Sequence, residues 1–230
     1  MLSIVRSLPL VAVLFLMAST TGCKEPDKST LDSQLIDACS NASASYESIV
    51  RLLKEGADVH AVNQVGGTPL LLASQTHENY QVVIALIRAG ADPHTSTADG
   101  ITPLMQAALY NKNPEVISKL LSLGSYVNQV NDKGVSALMF SCLEPSVEKV
   151  KLLLDAGADI NAQSYRGVTP LMWAAMDNSN PAVVSELLKA NADPYVIDEQ
   201  GKSALDYAKE NPNIFETKAY YELKEASRGR

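Results

Sequence analysis

Apolar and polar positions alternate in blocks along this chain, and the blocks recur. Short runs at helical spacing begin at Leu70, Leu104, Leu138, Leu171 and Leu205. Each is followed by a second run rich in branched aliphatics: Val82-Val83-Ile84, Val116-Ile117, Leu152-Leu153-Leu154, and Val183-Val184 with Leu187-Leu188. Apolar residues three and four apart predict helices, so the pattern predicts a helix pair per block. Glycines punctuate it. Gly66, Gly100, Gly134, Gly167 and Gly201 are spaced 34, 34, 33 and 34 apart. A second series, GAD at Gly56, GAD at Gly90, GSY at Gly124, GAD at Gly157 and NAD at Asn191, has the same spacings. Two independent markers with one period define a repeat array.

Each unit has readable helix boundaries. The first helix starts in GGTPL, GITPL, GVSAL, GVTPL or GKSAL. Thr68, Thr102 and Thr169 stand at the N-cap, with proline at the first helical position; Ser136 and Ser203 keep the hydroxyl where proline becomes alanine. The hydroxyl satisfies an orphan N–H, and proline has none to satisfy. Small residues at Ala73, Ala107, Ser141, Ala174 and Ala208 allow close helix approach. The second helix ends at the glycine of GAD, where a left-handed backbone is favoured, and Asn191 is the usual substitute.

These motifs resemble the ankyrin repeat, from about residue 32 to about residue 210. The resemblance implies an all-α solenoid of paired antiparallel helices with β-hairpin-like finger loops. About six repeats are expected, starting near 32, 66, 100, 134, 167 and 201, with the outer two modified as caps. Residues 211–230 form a C-terminal cap helix and tail. The sequence departs from the family at the position after Thr-Pro-Leu. The family's histidine is Leu71, Met105, Met139, Met172 and Asp206 here. The turn between the helices is long and carries Asn113-Pro114 and Asn180-Pro181.

The N-terminus reads differently. Arg6 precedes an apolar run of 11 residues, Leu8–Ala18. That is too short for a membrane-spanning helix and has the form of a bacterial export signal over residues 1–22. Thr20-Thr21-Gly22-Cys23 resembles a lipobox, which implies lipid attachment at Cys23; cleavage without acylation is the alternative. Lys24 after the cysteine implies the outer membrane, facing the periplasm. Residues 23–31 are read as a flexible tether. Of the 230 residues, 46% are hydrophobic and 20% charged, the composition of an ordered protein. Removal of the signal, whose only charged side chain is Arg6, takes the formal charge from −7 to −8. That disfavours nucleic acid and suits a basic partner surface.

Candidate chemistry is sparse. His60 and His94 occupy equivalent places in adjacent repeats, about 8–10 Å apart, too far for one zinc without considerable leaning of both rings. His77 lies in an inter-helix turn. Cys39 and Cys142 are three repeats apart, on the order of 25–30 Å, and are expected as free, buried thiols. There is no phosphate loop, nucleophile elbow or zinc-protease motif. No catalytic residue, metal, cofactor or small-molecule substrate is expected.

Partner binding is expected on the concave face, which the resemblance assigns to finger tips and the exposed side of the first helices. One variable column reads Leu72, Gln106, Phe140, Trp173 and Tyr207, with three aromatics in a row. Rings of this kind dominate interface hot spots, and the bland alternative is that they pad the groove. Tyr165 and Arg166 at a finger tip, with Asp132, Lys133, Asp99 and Glu199, add to this face. Tyr110, Leu143, Glu144, Met176 and Asp177 lie one turn further along the first helices. The partner is expected to be another protein. Exported ankyrin lipoproteins resembling this chain accompany toxins, which implies an immunity protein that neutralises an effector, for example a type VI secretion lipase. A periplasmic scaffold, an oxidative-stress-protection protein or a structural partner of an outer-membrane assembly are the alternatives.

Overall fold

The computed structural model describes residues 27–228. Residues 1–22, read from sequence as an export signal, and Cys23 lie outside that range. Twelve helices follow in antiparallel pairs: α1 (Lys28–Ser40) with α2 (Tyr46–Lys54), α3 (Pro69–Thr76) with α4 (Tyr80–Arg88), and α5 (Pro103–Tyr110) with α6 (Glu115–Ser122). Then come α7 (Ala137–Ser141) with α8 (Val147–Asp155), α9 (Pro170–Asp177) with α10 (Pro181–Lys189), and α11 (Ala204–Glu210) with α12 (Lys218–Ala226). The first helices stack on one another in one layer and the second helices in a parallel layer behind. Six helix pairs make the expected solenoid. Among the described residues the fingers carry only isolated antiparallel bridges, Val130 with Ser136 and Ile197 with Ser203. No described helix is long and apolar enough to cross a membrane.

The helix starts obey the caps. Thr68, Thr102, Ser136, Thr169 and Ser203 hold extended backbone, and each side chain accepts from the N–H three residues on. Asn191, in place of the helix-ending glycine, adopts φ 67°. Asparagine tolerates that region because its short side chain costs little there. The layers close over buried Leu70, Leu104, Leu138 and Leu171, with Ala73, Ala107, Ala174 and Ala208 admitting the neighbouring helix. Cys39 and Cys142 are free and buried within the same layer.

The first unit differs from expectation. Residues 28–31, assigned to the tether, are already helical, and Asp32 is not a finger residue. Leu31 and Leu35 both face the core, so one continuous helix replaces the finger. The Asp32 carboxylate accepts from Asp58 N at 2.7 Å, tying α1 to the loop after α2.

A row of buried polar side chains joins the repeats, and it explains the long inter-helix turns. Asn111 Nδ2 donates to Ser74 O at 3.0 Å and His77 O at 2.9 Å. Asn178 Nδ2 donates to Cys142 O at 2.7 Å and Glu144 O at 2.8 Å. Asn211 Nδ2 donates to Ala175 O at 3.2 Å and Asn178 O at 3.0 Å. Each amide oxygen accepts from the N–H two residues on. The carbonyls at a helix C-terminus have no partner within the helix, so each asparagine caps the helix of the preceding repeat. His77, also buried, holds the same place against α1, with Nε2 2.9 Å from Ala38 O. Asn113 and Asn180 add an outer row, reaching Glu78 O and Pro145 O and capping the second helix.

Repeat four lacks the asparagine, since Leu143-Glu144-Pro145 fills the turn after the short α7. Buried Lys149 from α8 takes over. Its Nζ donates to Ala108 O at 3.1 Å, the carbonyl equivalent to Ser74, Cys142 and Ala175. Burial lowers the ammonium's pKa, opposed by the nearby Glu144 carboxylate.

Asn178→Ala strands one buried and one part-buried carbonyl and is expected to cost about 3 kcal/mol in urea unfolding. The more exposed Asn113→Ala is expected to cost less than half as much. Burial raises both thiols from 9.0 to about 12. A raised folded pKa gives stability that is complete below pH 9 and lost as pH climbs towards 12. The Cys39→Ala/Cys142→Ala protein is therefore expected to show a shallower fall in melting temperature above pH 9.

Candidate partner-binding groove

Successive fingers stand side by side because their tips are hydrogen-bonded. Asp132 N donates to Asp99 O at 3.1 Å, Tyr165 N to Lys133 O at 3.0 Å, and Glu199 N to Arg166 O at 3.1 Å. Each finger is also held from its own root. Asn63, Thr97, Asn131, Ser164 and Asp198 each accept from the N–H four residues on, past the finger glycine. Gly134 has φ 73°, and a Cβ there would meet the Tyr165 ring and backbone at 2.8 Å. Glycine is thus needed both for the turn and for the seat of Tyr165.

Between the fingers of repeats four to six and helices α9 and α11 lies a groove of about 870 Å³. Its wall is Tyr165 and Arg166 from one finger, Asp132 and Lys133 from the finger before it, and Glu199 and Gln200 from the finger after it. Its floor is Val135, Ser164, Val168, Trp173, Met176, Asp198 and Tyr207. Trp173 and Met176 are half-buried and rest on the core, while Tyr165 keeps 68% of its surface exposed. The groove is therefore apolar below and charged at the lip, with Lys133 and Arg166 in no ion pair among the described residues. Trp173 Nε1 is buried without a hydrogen-bond partner among the described residues.

Of the residues singled out from sequence, Trp173, Met176, Tyr207, Tyr165 and Arg166 come together here. Phe140 is half-buried against the core and outside the groove lining. Gln106, Leu143 and Glu144 are half-buried, and Tyr110 and Asp177 are exposed, all outside that lining. Tyr207 departs from the free contact residue expected. It is buried, and its hydroxyl donates to the Asp198 carboxylate. Lys202 Nζ lies 5.0 Å from the ring centre. That bond, with burial, raises the Tyr207 phenol to about 12. Burial pushes the Asp198 carboxyl up, but the Tyr207 hydroxyl and the N–H groups of Lys202 and Gln200 outweigh it and lower the pKa. Nearby, Lys209 and Ser203 hold the Asp206 carboxyl at about 2. Tyr207 thus fixes the last finger to α11 and shapes the floor.

Val135, Ser164, Val168, Asp198 and Gln200 were not anticipated in the groove. A signal existed for two of them. A short polar residue stands three before each finger glycine, at 63, 97, 131, 164 and 198. His94 stacks on Tyr126, with ring centres 3.9 Å apart and planes at 21°, while His60 is exposed.

A stack of helix pairs with fingers and a lined concave groove defines a repeat solenoid built to hold another molecule across several units. The family model for ankyrin repeats, in three copies, matches residues 35–131, 70–164 and 138–217, and the chain belongs to that family. Its members are generally non-enzymatic, protein-binding scaffolds. No curated protein matches the chain in sequence.

Tyr207→Phe removes one buried, charge-assisted hydrogen bond and is expected to cost about 1.5 kcal/mol of folding stability. Chemical denaturation measures this; an unchanged midpoint would place the Asp198–Tyr207 contact outside the fold's stabilising set.

Proposed function

We propose that this chain is an exported, lipid-anchored immunity protein at the periplasmic face of the outer membrane. It binds a toxic effector, for example a type VI secretion lipase, in the groove and blocks it. The observation that carries the binding reading is the groove of repeats four to six. Trp173 and Met176 present apolar surface there beside the exposed Tyr165 ring and the cations of Lys133 and Arg166, which form no ion pair among the described residues. An aromatic anchor with a polar rim is the arrangement that concentrates binding energy. Export and anchoring are supported by the Leu8–Ala18 apolar run and by Cys23 after Thr-Thr-Gly. The rigid stack favours tight inhibition, because a preformed surface loses little entropy on binding.

Competition between sister strains tests the reading. Cells lacking the protein are expected to be killed by kin that deliver the effector, and the intact chain to restore survival. Trp173→Ala is expected to weaken effector binding by about 2 kcal/mol or more while the melting temperature stays close to that of the parent. Survival of the deletion strain beside kin would overturn the immunity role. A loss of thermal stability with binding intact would make Trp173 a core residue.

A further inference from the structure

The first finger is unlike the other four. Its tip is Gln64-Val65, whereas the later tips, Ala98-Asp99, Asp132-Lys133, Tyr165-Arg166 and Glu199-Gln200, all carry charge. No Asp, Glu, Lys or Arg occurs anywhere from Val59 to His77. Val62 and Val65 are 61% and 81% exposed. This finger also stands alone. Among the described residues the tip-to-tip hydrogen bonds begin at Asp99, and none joins Val65 to Ala98. A Cβ at Gly66 would meet nothing within 4 Å, whereas at Gly100, Gly134 and Gly167 it would meet the next finger at 3.0, 2.8 and 3.2 Å.

This finger lies on the same side as the start of α1, the described end nearest to Cys23 in sequence. In every later repeat the finger leads into the N-terminus of a first helix, so the fingers and those N-termini share one side. Helix α1 stacks on α3 in that layer, and its Asp32, one turn in, accepts from Asp58 N at the finger's root. Only four residues, Lys24–Asp27, separate Cys23 from α1. Such a segment spans at most about 18 Å. The finger from Val59 to its tip at Val65 reaches no further than about 20 Å.

We propose that the first finger is a membrane contact: with Cys23 acylated, Val62 and Val65 rest in the headgroup region of the bilayer. The inference builds on the lipid anchor of the proposed function. Two valines alone bind lipid too weakly to matter. A tether this short holds them at high local concentration against the surface, where uncharged apolar residues are favoured and charged tips are not. The later fingers, and with them the groove, are then directed away from the anchored end of the stack.

Single-tryptophan fluorescence tests this in the mature chain with Trp173→Phe. Val65→Trp and, as control, Asp99→Trp are coupled through Cys23 to a thiol-reactive lipid in phosphatidylethanolamine–phosphatidylglycerol vesicles. Cys39 and Cys142 are buried, which leaves Cys23 as the reactive thiol. The expected result is a blue shift and strong quenching by shallow spin-labelled lipid for Val65→Trp, and neither for Asp99→Trp. Equal quenching at both fingers, or at neither, overturns the proposal. So does protection of Val65→Trp by a soluble protein in the absence of any lipid effect. Because the anchor is installed chemically, this result is independent of acylation in cells, which mass spectrometry of the membrane-extracted protein reads separately.

Discussion

One buried side-chain donor per junction, an asparagine amide at three of the five, holds this solenoid in register. A repeat of two short helices leaves carbonyls bare at the end of its first helix, and these face the next repeat rather than solvent. Asn111, Asn178 and Asn211 each spend both amide hydrogens on such carbonyls and the amide oxygen on their own turn. All three are buried, so an unmade bond would carry its full desolvation cost. Apolar packing alone would tolerate sliding between stacked helices, because aliphatic contacts are not directional. The amides remove that freedom, and the finger-tip hydrogen bonds do the same on the opposite side.

Repeat four shows how strict the requirement is. There the turn loses its asparagine and a lysine from the second helix supplies the donor. An ammonium in that position pays for its burial with a lowered pKa, yet Lys149 still reaches Ala108 O. The same repeat contains the shortest first helix, α7, and contributes Asp132, Lys133 and Val135 to one end of the groove. The groove therefore depends on rigid neighbours on both sides: the amides that fix α9 and α11, and the Asp198–Tyr207 bond that fixes the last finger.

The repeat itself was legible from spacing. Period, caps and helix ends follow from local rules, in which a threonine, a proline or a left-handed asparagine acts within four residues of its own position. The aromatic column was legible too, as far as it identified Trp173 and Tyr207 as neighbours. Their different roles were not. Whether a ring in that column is a contact or a strut depends on what stands opposite it, and Asp198 opposite Tyr207 comes from the finger that precedes α11. Likewise, the Asn-Pro pairs at 113 and 180 stood out in the turns while Asn111 and Asn178 did not, and His77 carried no motif at all. Their partners lie 34 to 39 residues away, beyond any local pattern.

The start of the domain makes the same point. Asp32 aligned with the finger glycines by period alone, yet Leu31 and Leu35 face the core and turn that stretch into helix. The sequence by itself determined a six-unit helical array, the ends of its helices and the column in which aromatics gather, because capping and periodicity are short-range effects. Only the tertiary structure decided which carbonyls the buried amides satisfy, which ring is free to meet a partner and which finger stands apart. The capping contacts and the finger-tip bonds reach one repeat away, and the Asp198–Tyr207 bond spans nine residues; at each, the identity of the neighbour, not the residue, decides the role.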